Sequence, residues 1–436
     1  MTVKSNHCFS RALLIMLFAL VVTRAYGQEP PDTTKEREPY PEPRSLGSDI
    51  MAVPQFIIDI PVTLLEGFTG FIVEDLYAGA LAAQVGALIG NFDRIWGFYP
   101  VFSTGSRSGV EYGLGFRSKG VFTKEERLKI KGSYSAHDYQ NFKIQYRAPN
   151  FVSPDLGITF LGQYRKRPWE SFYGLGNNSL EKNQVNYNPE QSHLHGGALW
   201  TISPQWKLEL ALGYDAYNLF DGEDPKLEGD IDTIVSNPNL QLSPAEVRGT
   251  RYWSLGGTID HDWRNGNGQP TSGGREIISL TYNKSTRDFD KLEFWQTTVD
   301  LRQYLELFKK RTLALRVLLE SNDITDNSPA LPFYLKSSLG GVENLRGYRN
   351  GRYIDNDLAL VSLEYRYPLL EMIDAFLFMD EGRVFQSLSD HFKWRDWKYS
   401  YGAGLRLWSD DELMIRTFLA KSKEDTRFYL EFSDAF

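Results

Sequence analysis

Hydrophobic and polar residues alternate with a period of two along most of the chain beyond residue 99. Near the C-terminus, for example, Phe428 and Leu430 fall on one face, and Tyr429 and Glu431 fall on the other. Successive side chains of a β-strand point to opposite faces, so this pattern predicts half-buried strands. Fifteen segments carry it: 110–117, 127–136, 141–147, 157–164, 193–202, 206–216, 252–263, 276–283, 292–304, 312–320, 358–367, 375–381, 399–408, 412–420 and 427–435.

Single-chain bacterial membrane barrels have an even number of strands. One further strand is therefore expected, either around residues 172–187 or around residues 98–103. The predicted fold class is all-β: a transmembrane antiparallel β-barrel of about sixteen strands, with a short N-terminal helical segment.

Composition supports a membrane barrel. The mean hydropathy is polar, at −0.39, yet 14% of the residues are aromatic. A barrel accounts for both values, because only alternate residues face lipid, the lumen is polar, and aromatic side chains ring the two interfaces. A secreted β-sandwich or sugar-binding β-protein is the alternative.

The N-terminal part of the chain predicts export and three short regions before the barrel. Residues 1–27 resemble a signal peptide, with Lys4 and Arg11 before the apolar run 12–22 and small residues at Ala25 and Gly27. Residues 28–49 predict a disordered periplasmic linker, and residues 50–98 a short amphipathic helical segment. That segment could lie on the membrane surface or enter the lumen, but packing against the periplasmic end is favoured. The barrel would span residues 99–436.

Connection lengths predict the orientation of the barrel. The segments 321–356 and 382–398 are long, whereas 368–373 and 409–411 are short. Outer-membrane barrels have short periplasmic turns and longer extracellular loops. If both chain ends are periplasmic, each long segment falls outside and each short segment inside. Cleavage of the signal peptide would remove the single cysteine, Cys8, so we expect no disulfide in the exported chain.

Catalytic and metal-binding patterns are weak. His193 and His195 share a strand face, but no third metal ligand is evident from the sequence. In the run 260–262, His261 lies opposite the two aspartates, which argues against a proton relay. The acidic residues between 221 and 232 do not have the spacing of an EF-hand loop. No phosphate loop, nucleophile elbow or zinc signature is present, and a net charge of −8 does not favour nucleic acid. We therefore expect no enzyme, cofactor or metal.

The C-terminal residues resemble the terminal assembly signal of bacterial outer-membrane barrels, in which an alternating strand ends in an aromatic residue. The residues that carry this resemblance are Phe428, Leu430, Phe432 and Phe436. The resemblance implies recognition by the barrel-assembly machinery during biogenesis. A chance amphipathic edge strand is the alternative.

Two short stretches in the C-terminal half carry a more specific pattern. Residues 340–348 read Gly-Gly-Val-Glu-Asn-Leu-Arg-Gly-Tyr, and residues 378–382 read Phe-Met-Asp-Glu-Gly. Together they resemble the outer-membrane barrel-assembly and translocation superfamily, also called the bacterial surface antigen family. Weaker similarity lies at 170–177, 363–368 and 402–406. The resemblance implies that the first stretch folds into the lumen, where Arg346 meets Asp380. We call the residues of this contact the lumen-loop lock: Arg346, Gly347, Tyr348, Phe378, Asp380 and Gly382.

The sequence departs from the family pattern before the barrel. Residues 28–98 leave little room for a periplasmic POTRA module, so the chain resembles the family branch that lacks these N-terminal domains. The resemblance implies a role in insertion or translocation of protein or lipid at the outer membrane of a Gram-negative-type bacterium. The expected partner is outer-membrane lipid, and the chain would act as a homodimer or in a larger outer-membrane complex. Binding to nucleic acid is not expected. A passive porin or ligand transporter is the alternative, and a surface-anchored enzyme is less favoured.

Overall fold

The strands were located in a computed structural model that describes residues 96–105, 109–120, 125–266, 269–286, 291–308, 310–326, 328–370, 372–392, 395–409 and 412–432. They are β1 (Trp96–Gly105), β2 (Gly109–Lys119), β3 (Arg127–Ser135), β4 (Gln140–Ser153), β5 (Leu156–Lys166), β6 (Glu170–Phe172), β7 (Val185–Thr201), β8 (Trp206–Asp221), β9 (Thr250–Asp262), β10 (Gly273–Ser285), β11 (Glu293–Phe308), β12 (Arg311–Ile324), β13 (Ser337–Leu339), β14 (Tyr353–Asp355), β15 (Asp357–Leu370), β16 (Ile373–Phe385), β17 (Lys398–Ser409), β18 (Glu412–Ser422) and β19 (Thr426–Phe432).

Sixteen long strands form one antiparallel barrel sheet in chain order. The short β6 adds to the first residues of β7, and β13 and β14 form a separate hairpin. β1 and β19 lie side by side at the two ends of the sheet. Within the described residues, no backbone ladder joins this seam, so two strand edges meet there without pairing.

The two faces of the sheet have opposite chemistry. Apolar side chains such as Leu194, Leu212 and Leu255 are exposed on the outer face. Charged side chains such as Asp300 and Asp380 are buried on the inner face. The polar face therefore lines the lumen, and the apolar face meets lipid.

Long and short connections segregate to opposite ends of the barrel. At one end, residues 167–184, 222–249, 325–336 and 386–397 connect strands or precede the inner hairpin. At the other end, β4–β5, β11–β12 and β17–β18 are joined by two-residue connections. Because extracellular loops are the longer ones, the first end is assigned to the outside.

Helices are short and lie in the connections. The α-helices are α1 (Ile231–Ser236) and α2 (Leu388–His391), and the 3₁₀ turns are Glu181–Asn183, Pro244–Glu246 and Phe333–Leu335. Asp230 caps α1 by accepting a 2.7 Å hydrogen bond from the Thr233 N–H. Within the described ranges, no helix has the length and apolar character needed to cross a bilayer.

The strand predictions from the sequence are confirmed for all fifteen segments, except that residues 433–435 of the last one lie outside the described residues. The additional strand is β1, which contains the candidate 98–103, whereas most of 172–187 is a connection. β1 begins at Trp96, three residues before the predicted start of the barrel at residue 99. The predicted signal peptide 1–27, linker 28–49 and helical residues up to 95 lie outside the described residues.

Candidate functional site

The connection between β13 and β14, residues 340–352, lies inside the barrel, and we call it the lumen loop. Leu345 and Tyr348 of this loop are buried in one apolar cluster with Leu318 of β12 and Leu360 of β15. The loop therefore packs against the inner face of the barrel wall.

Glycines set the path of the lumen loop. Gly340 has a φ of +113°, and a Cβ there would lie 2.1 Å from the carbonyl oxygen of Arg349. Gly347 has a φ of +86°, and its Cβ would lie 3.3 Å from the Lys421 carbonyl carbon on β18. Residues with a side chain rarely adopt such φ values. Gly347 thus lets the backbone approach β18 immediately after Arg346.

Arg346 and Asp380 form a bidentate ion pair in the lumen. Arg346 Nη2 lies 2.7 Å from Asp380 Oδ1, and its Nε lies 2.8 Å from Oδ2. The Arg346 backbone N–H also donates to Oδ2, at 3.2 Å. Asp380 has no exposed surface, and Arg346 is 6% exposed. Two parallel hydrogen bonds fix orientation as well as charge, so this contact holds the loop in one position on β16.

The charge of Arg346 is maintained although its side chain is buried. Burial favours the neutral form, but the hydrogen bonds and charge of Asp380, with a further contribution from Glu364, outweigh it. The pKa of Arg346 is consequently held above its ordinary value. The loop thus carries a permanent cation into the lumen.

An aromatic ring supports the guanidinium. Phe378 lies 3.6 Å below the Arg346 guanidinium carbon, measured to the ring centroid. A Cβ at Gly402 would lie 2.6 Å from the edge of that ring. At Gly382, a Cβ would lie 2.9 Å from Leu339, which precedes the lumen loop. Gly402 therefore leaves space for the supporting ring, and Gly382 leaves space for Leu339 at the end of β13.

Glu364 connects Arg346 to two further arginines. Its Oε2 lies 3.2 Å from Arg346 Nη1. Its Oε1 lies 2.8 Å from Arg366 Nε and 3.2 Å from Arg406 Nη1. Arg406 is also 3.6 Å from Asp374. Three cations and three carboxylates, with Asp380 included, therefore share one buried network on β15, β16, β17 and the loop.

The lumen loop also contacts the last three strands of the barrel, β17, β18 and β19. The Gly347 N–H donates to the Tyr429 hydroxyl of β19 at 3.2 Å. The Ser422 hydroxyl of β18 donates to the Gly347 carbonyl at 3.0 Å. The Tyr348 hydroxyl donates to the Tyr399 carbonyl at 3.3 Å. The loop thereby joins β16 to the C-terminal side of the seam.

Arg352 anchors the other end of the loop. It lies 2.8 Å from Glu424 in the β18–β19 turn and donates to the Ser179 carbonyl at 2.9 Å. Its guanidinium carbon is 4.6 Å from the centroid of Tyr173 and 4.5 Å from that of Tyr353. The motif 340–348 ends before this residue, so sequence comparison alone did not identify it.

The 260–262 run does not form a proton relay. Asp260 pairs with Arg275 at 2.8 Å, and Asp262 pairs with Arg264 at 2.6 Å. His261 bonds Glu276 at 2.7 Å and stacks on Trp206 at 4.0 Å. Both carboxylates of the run are paired with arginine, which makes them poor general bases.

Acidic residues between 221 and 232 bond backbone amides of their own connection. Asp224 accepts from the Lys226 N–H at 3.0 Å, and Asp221 accepts from the Ile231 N–H at 3.1 Å. These carboxylates shape the β8–β9 connection, as Asx-type contacts do in turns.

The residues of the predicted terminal signal lie on β19 or beyond it. Phe428 is exposed on the outer face and Leu430 is half-buried, and both belong to β19. Phe432 is the last residue of β19, and Phe436 lies outside the described residues. Tyr429, on the opposite face, stacks on Phe418 with a centroid distance of 4.7 Å.

The fold and the site together define a class of protein. It is an antiparallel barrel of sixteen long strands, and its lumen holds a loop that a buried arginine–carboxylate network fixes in place. A comparison with protein-family models matches residues 122–413 to the Omp85 superfamily domain. The chain therefore belongs to the Omp85 superfamily, and the resemblance seen in the two short motifs is confirmed. Members are non-enzymatic insertion or transport proteins that work with lipids and partner proteins in the Gram-negative outer membrane, which is where this chain is located.

Solved structures show the same barrel. BamA from Haemophilus ducreyi lacking POTRA domains 1-3 is 17% identical and has a TM-score of 0.54, over 78% of this chain and 69% of that chain. CdiB from Escherichia coli is 12% identical with a TM-score of 0.50, over 78% of this chain and 60% of that one. At these identities the likeness concerns the fold alone. A comparison with curated proteins found no match.

Proposed function

We propose that this chain assists the insertion or translocation of polypeptide or lipid at the outer membrane by opening the seam between β1 and β19. The observation that carries the proposal is the pair of neighbouring edges without a backbone ladder among the described residues. An unpaired edge presents N–H and C=O groups on which another strand can form. No catalytic step is required.

The lumen-loop lock gives this mechanism a fixed side. Arg346 holds the loop on β16 through Asp380, and Gly347 joins the same loop to Ser422 and Tyr429 on β18 and β19. We propose that these contacts keep the C-terminal strands in register while the β1 side of the seam separates. The role of the lock is structural.

The proposed partners follow from the two surfaces of the barrel. Lipid contacts the apolar outer face, to which Phe428 belongs. We propose that Phe428, Leu430, Phe432 and Phe436 direct assembly of the barrel by the cell's own assembly machinery. A homodimer or a larger outer-membrane complex would be its working form.

Closing the seam covalently is expected to abolish client insertion. The sequence has one cysteine, Cys8, and a Cys8→Ser background gives a cysteine-free chain. Cysteine pairs scanned along β1 and β19 should yield a disulfide where the strands face each other. In liposomes, an unfolded eight-stranded barrel would serve as client, and its heat-modifiable folded band would be measured. The unaltered protein should accelerate the appearance of this folded band. We expect the oxidised cysteine variant to lose the acceleration and the reduced variant to regain it.

A cysteine pair between β11 and β12 is the matched control for that experiment. These strands are already joined by a long backbone ladder, with Leu301 facing Val317. A disulfide there should leave client insertion unchanged. If oxidation at the seam also leaves insertion unchanged, the proposed route through the seam is wrong.

The lumen loop is expected to restrict ion flow. Leu339 and Tyr353 are paired in the β13–β14 hairpin, so residues 340–352 can be replaced by an Asn-Gly turn that preserves the hairpin. We expect small, flickering conductance in planar bilayers for the unaltered protein and larger conductance after the replacement. The control is Lys284→Ala, which removes an exposed side chain from β10. A large, steady channel in the unaltered protein would instead favour a porin.

A further inference from the structure

A second group of polar side chains lies on the lumen face of β7 and β8, away from the lock. His193 and His195 are two residues apart on β7, and Asp215 faces His193 across the ladder to β8. Asp215 Oδ1 lies 2.5 Å from His193 Nδ1 and 2.9 Å from His195 Nε2. Leu194, between the two histidines, is exposed on the opposite face. Both imidazoles therefore converge on one carboxylate.

Asp215 differs in its partners from Asp300 and Asp380, two other buried carboxylates of the wall. Asp300 and Asp380 each pair with arginine. Asp215 is 3% exposed, yet among the described residues no arginine or lysine lies within ion-pair distance of it, and only the two histidines do. A buried carboxylate needs a compensating charge. Neutral imidazoles supply hydrogen bonds but no charge.

One imidazole nitrogen of the group lacks a partner. His193 Nε2 is buried and forms no hydrogen bond with any described residue. When Nδ1–H donates to Asp215, Nε2 carries a lone pair that no protein donor meets. The hydrogen bonds within the group therefore leave unused basic capacity.

The backbone leaves space for the second ring. Gly213 faces His195 across the β7–β8 ladder. A Cβ on Gly213 would lie 2.9 Å from both Cε1 and Nε2 of His195. The missing side chain thus allows the His195 ring to lie over β8 and to reach Asp215.

We propose that His193, His195 and Asp215 bind a divalent first-row transition-metal ion in the lumen. One ligand atom from each residue lies within 4.8 Å of the others. Ligands around a tetrahedral Zn²⁺, bonded at about 2.0–2.1 Å, are separated by roughly 3.3 Å, so small side-chain movements suffice. Two imidazoles and a carboxylate suit Zn²⁺ and its neighbours, and three protein ligands leave one coordination position open towards the lumen. If both imidazoles are neutral, the ion supplies the charge that compensates Asp215.

Zinc binding to the full-length protein in detergent tests this proposal, with a purification tag that contains no histidine. Isothermal titration calorimetry with Zn²⁺ should show one tight site per chain. A second titration with Co²⁺ should give the visible absorption bands of a four-coordinate ion. We expect His193→Ala, His195→Ala and Asp215→Asn each to weaken Zn²⁺ binding on the order of 100-fold or more, since losing only an outer-shell partner costs about 10–100-fold.

His261→Ala is the matched control, because His261 bonds the carboxylate of Glu276, which contacts no second histidine among the described residues. It should leave the tight site intact. Heat-modifiability gels establish that each variant is folded, and Gly213→Ala gives a second test that retains all three ligands. Its Cβ would meet both the Ser254 hydroxyl and the His195 ring, so displacement of the ring and weaker binding are expected. Unaltered Zn²⁺ binding in the His193→Ala and His195→Ala variants, or no tight site in the unaltered protein, would overturn the proposal.

Discussion

Asp380→Ala and Arg346→Ala are each expected to lower the free energy of unfolding by about 3–5 kcal/mol, because either change leaves one charge of a buried pair without its partner. Asp380 is fully buried and accepts three hydrogen bonds, all from Arg346. Arg346 would retain only Glu364. The folded fraction in heat-modifiability gels along a urea series would measure the loss.

An exposed ion pair supplies the reference for that measurement. Lys284 lies 3.6 Å from Glu293, and its side chain is 64% exposed. Lys284→Ala should cost only about 0–1 kcal/mol, since exposed pairs gain little from their charges. If Asp380→Ala and Arg346→Ala behave like Lys284→Ala, the pair does not hold the loop.

A double replacement separates the cost of a stranded charge from the value of the pair. Replacing Arg346 by Met and Asp380 by Leu removes both charges, and buried ion pairs exchanged for apolar residues are often close to neutral in stability. Since Arg346 also bonds Glu364, we expect partial recovery relative to the single variants. The lumen loop would then be folded but less fixed in position.

The barrel strands could be predicted because lipid and lumen impose opposite demands on alternate residues. This pattern identified fifteen strands, and the even-number rule required another. It did not decide between the two candidates for β1, because 172–187 is also rich in aromatic residues. There, Phe172 and Tyr187 are buried with Phe333 of a connection, so their hydrophobicity serves loop packing. Single-sequence alternation cannot distinguish these two causes.

Site residues could be predicted only where a motif marked them. Arg346 and Asp380 stand in recognisable phrases, and the structure brings them together. Glu424 and Ser179, which bind Arg352, lie 72 and 173 residues away from it in sequence. Their meeting depends on the curvature of the whole sheet and on the path of the loops. The same holds for Asp215, whose place opposite His193 depends on the β7–β8 register.

A chain of direct contacts connects the lumen-loop lock to the seam. From Asp380 the contacts run through Arg346 to Gly347, and from there to Ser422 and Tyr429 beside the seam. A change at β16 can therefore alter the position of β19 without touching it. For this reason, stability and client insertion should both be measured for every variant of the network.

Glu364→Gln is the second change for which we expect a large loss, again about 3–5 kcal/mol in the free energy of unfolding. Glu364 lies within 3.2 Å of Arg346, Arg366 and Arg406. The amide nearly preserves the volume but leaves one uncompensated positive charge in the buried network. A urea series followed by heat-modifiability gels would measure the loss.

The charge argument for Glu364 makes a further prediction that packing alone does not. Arg406 lies 3.2 Å from Glu364, so adding Arg406→Leu to Glu364→Gln removes a cation together with the missing anion. The double variant should be more stable than the sum of the two single losses predicts, because residues in one ionic network are coupled by about 0.5–3 kcal/mol. Strict additivity would mean that Glu364 acts through shape or hydrogen bonding instead of charge. In that case Asp380 would supply the electrostatic attachment of the lumen loop. Solvent in the lumen would then screen the repulsion between the three arginines.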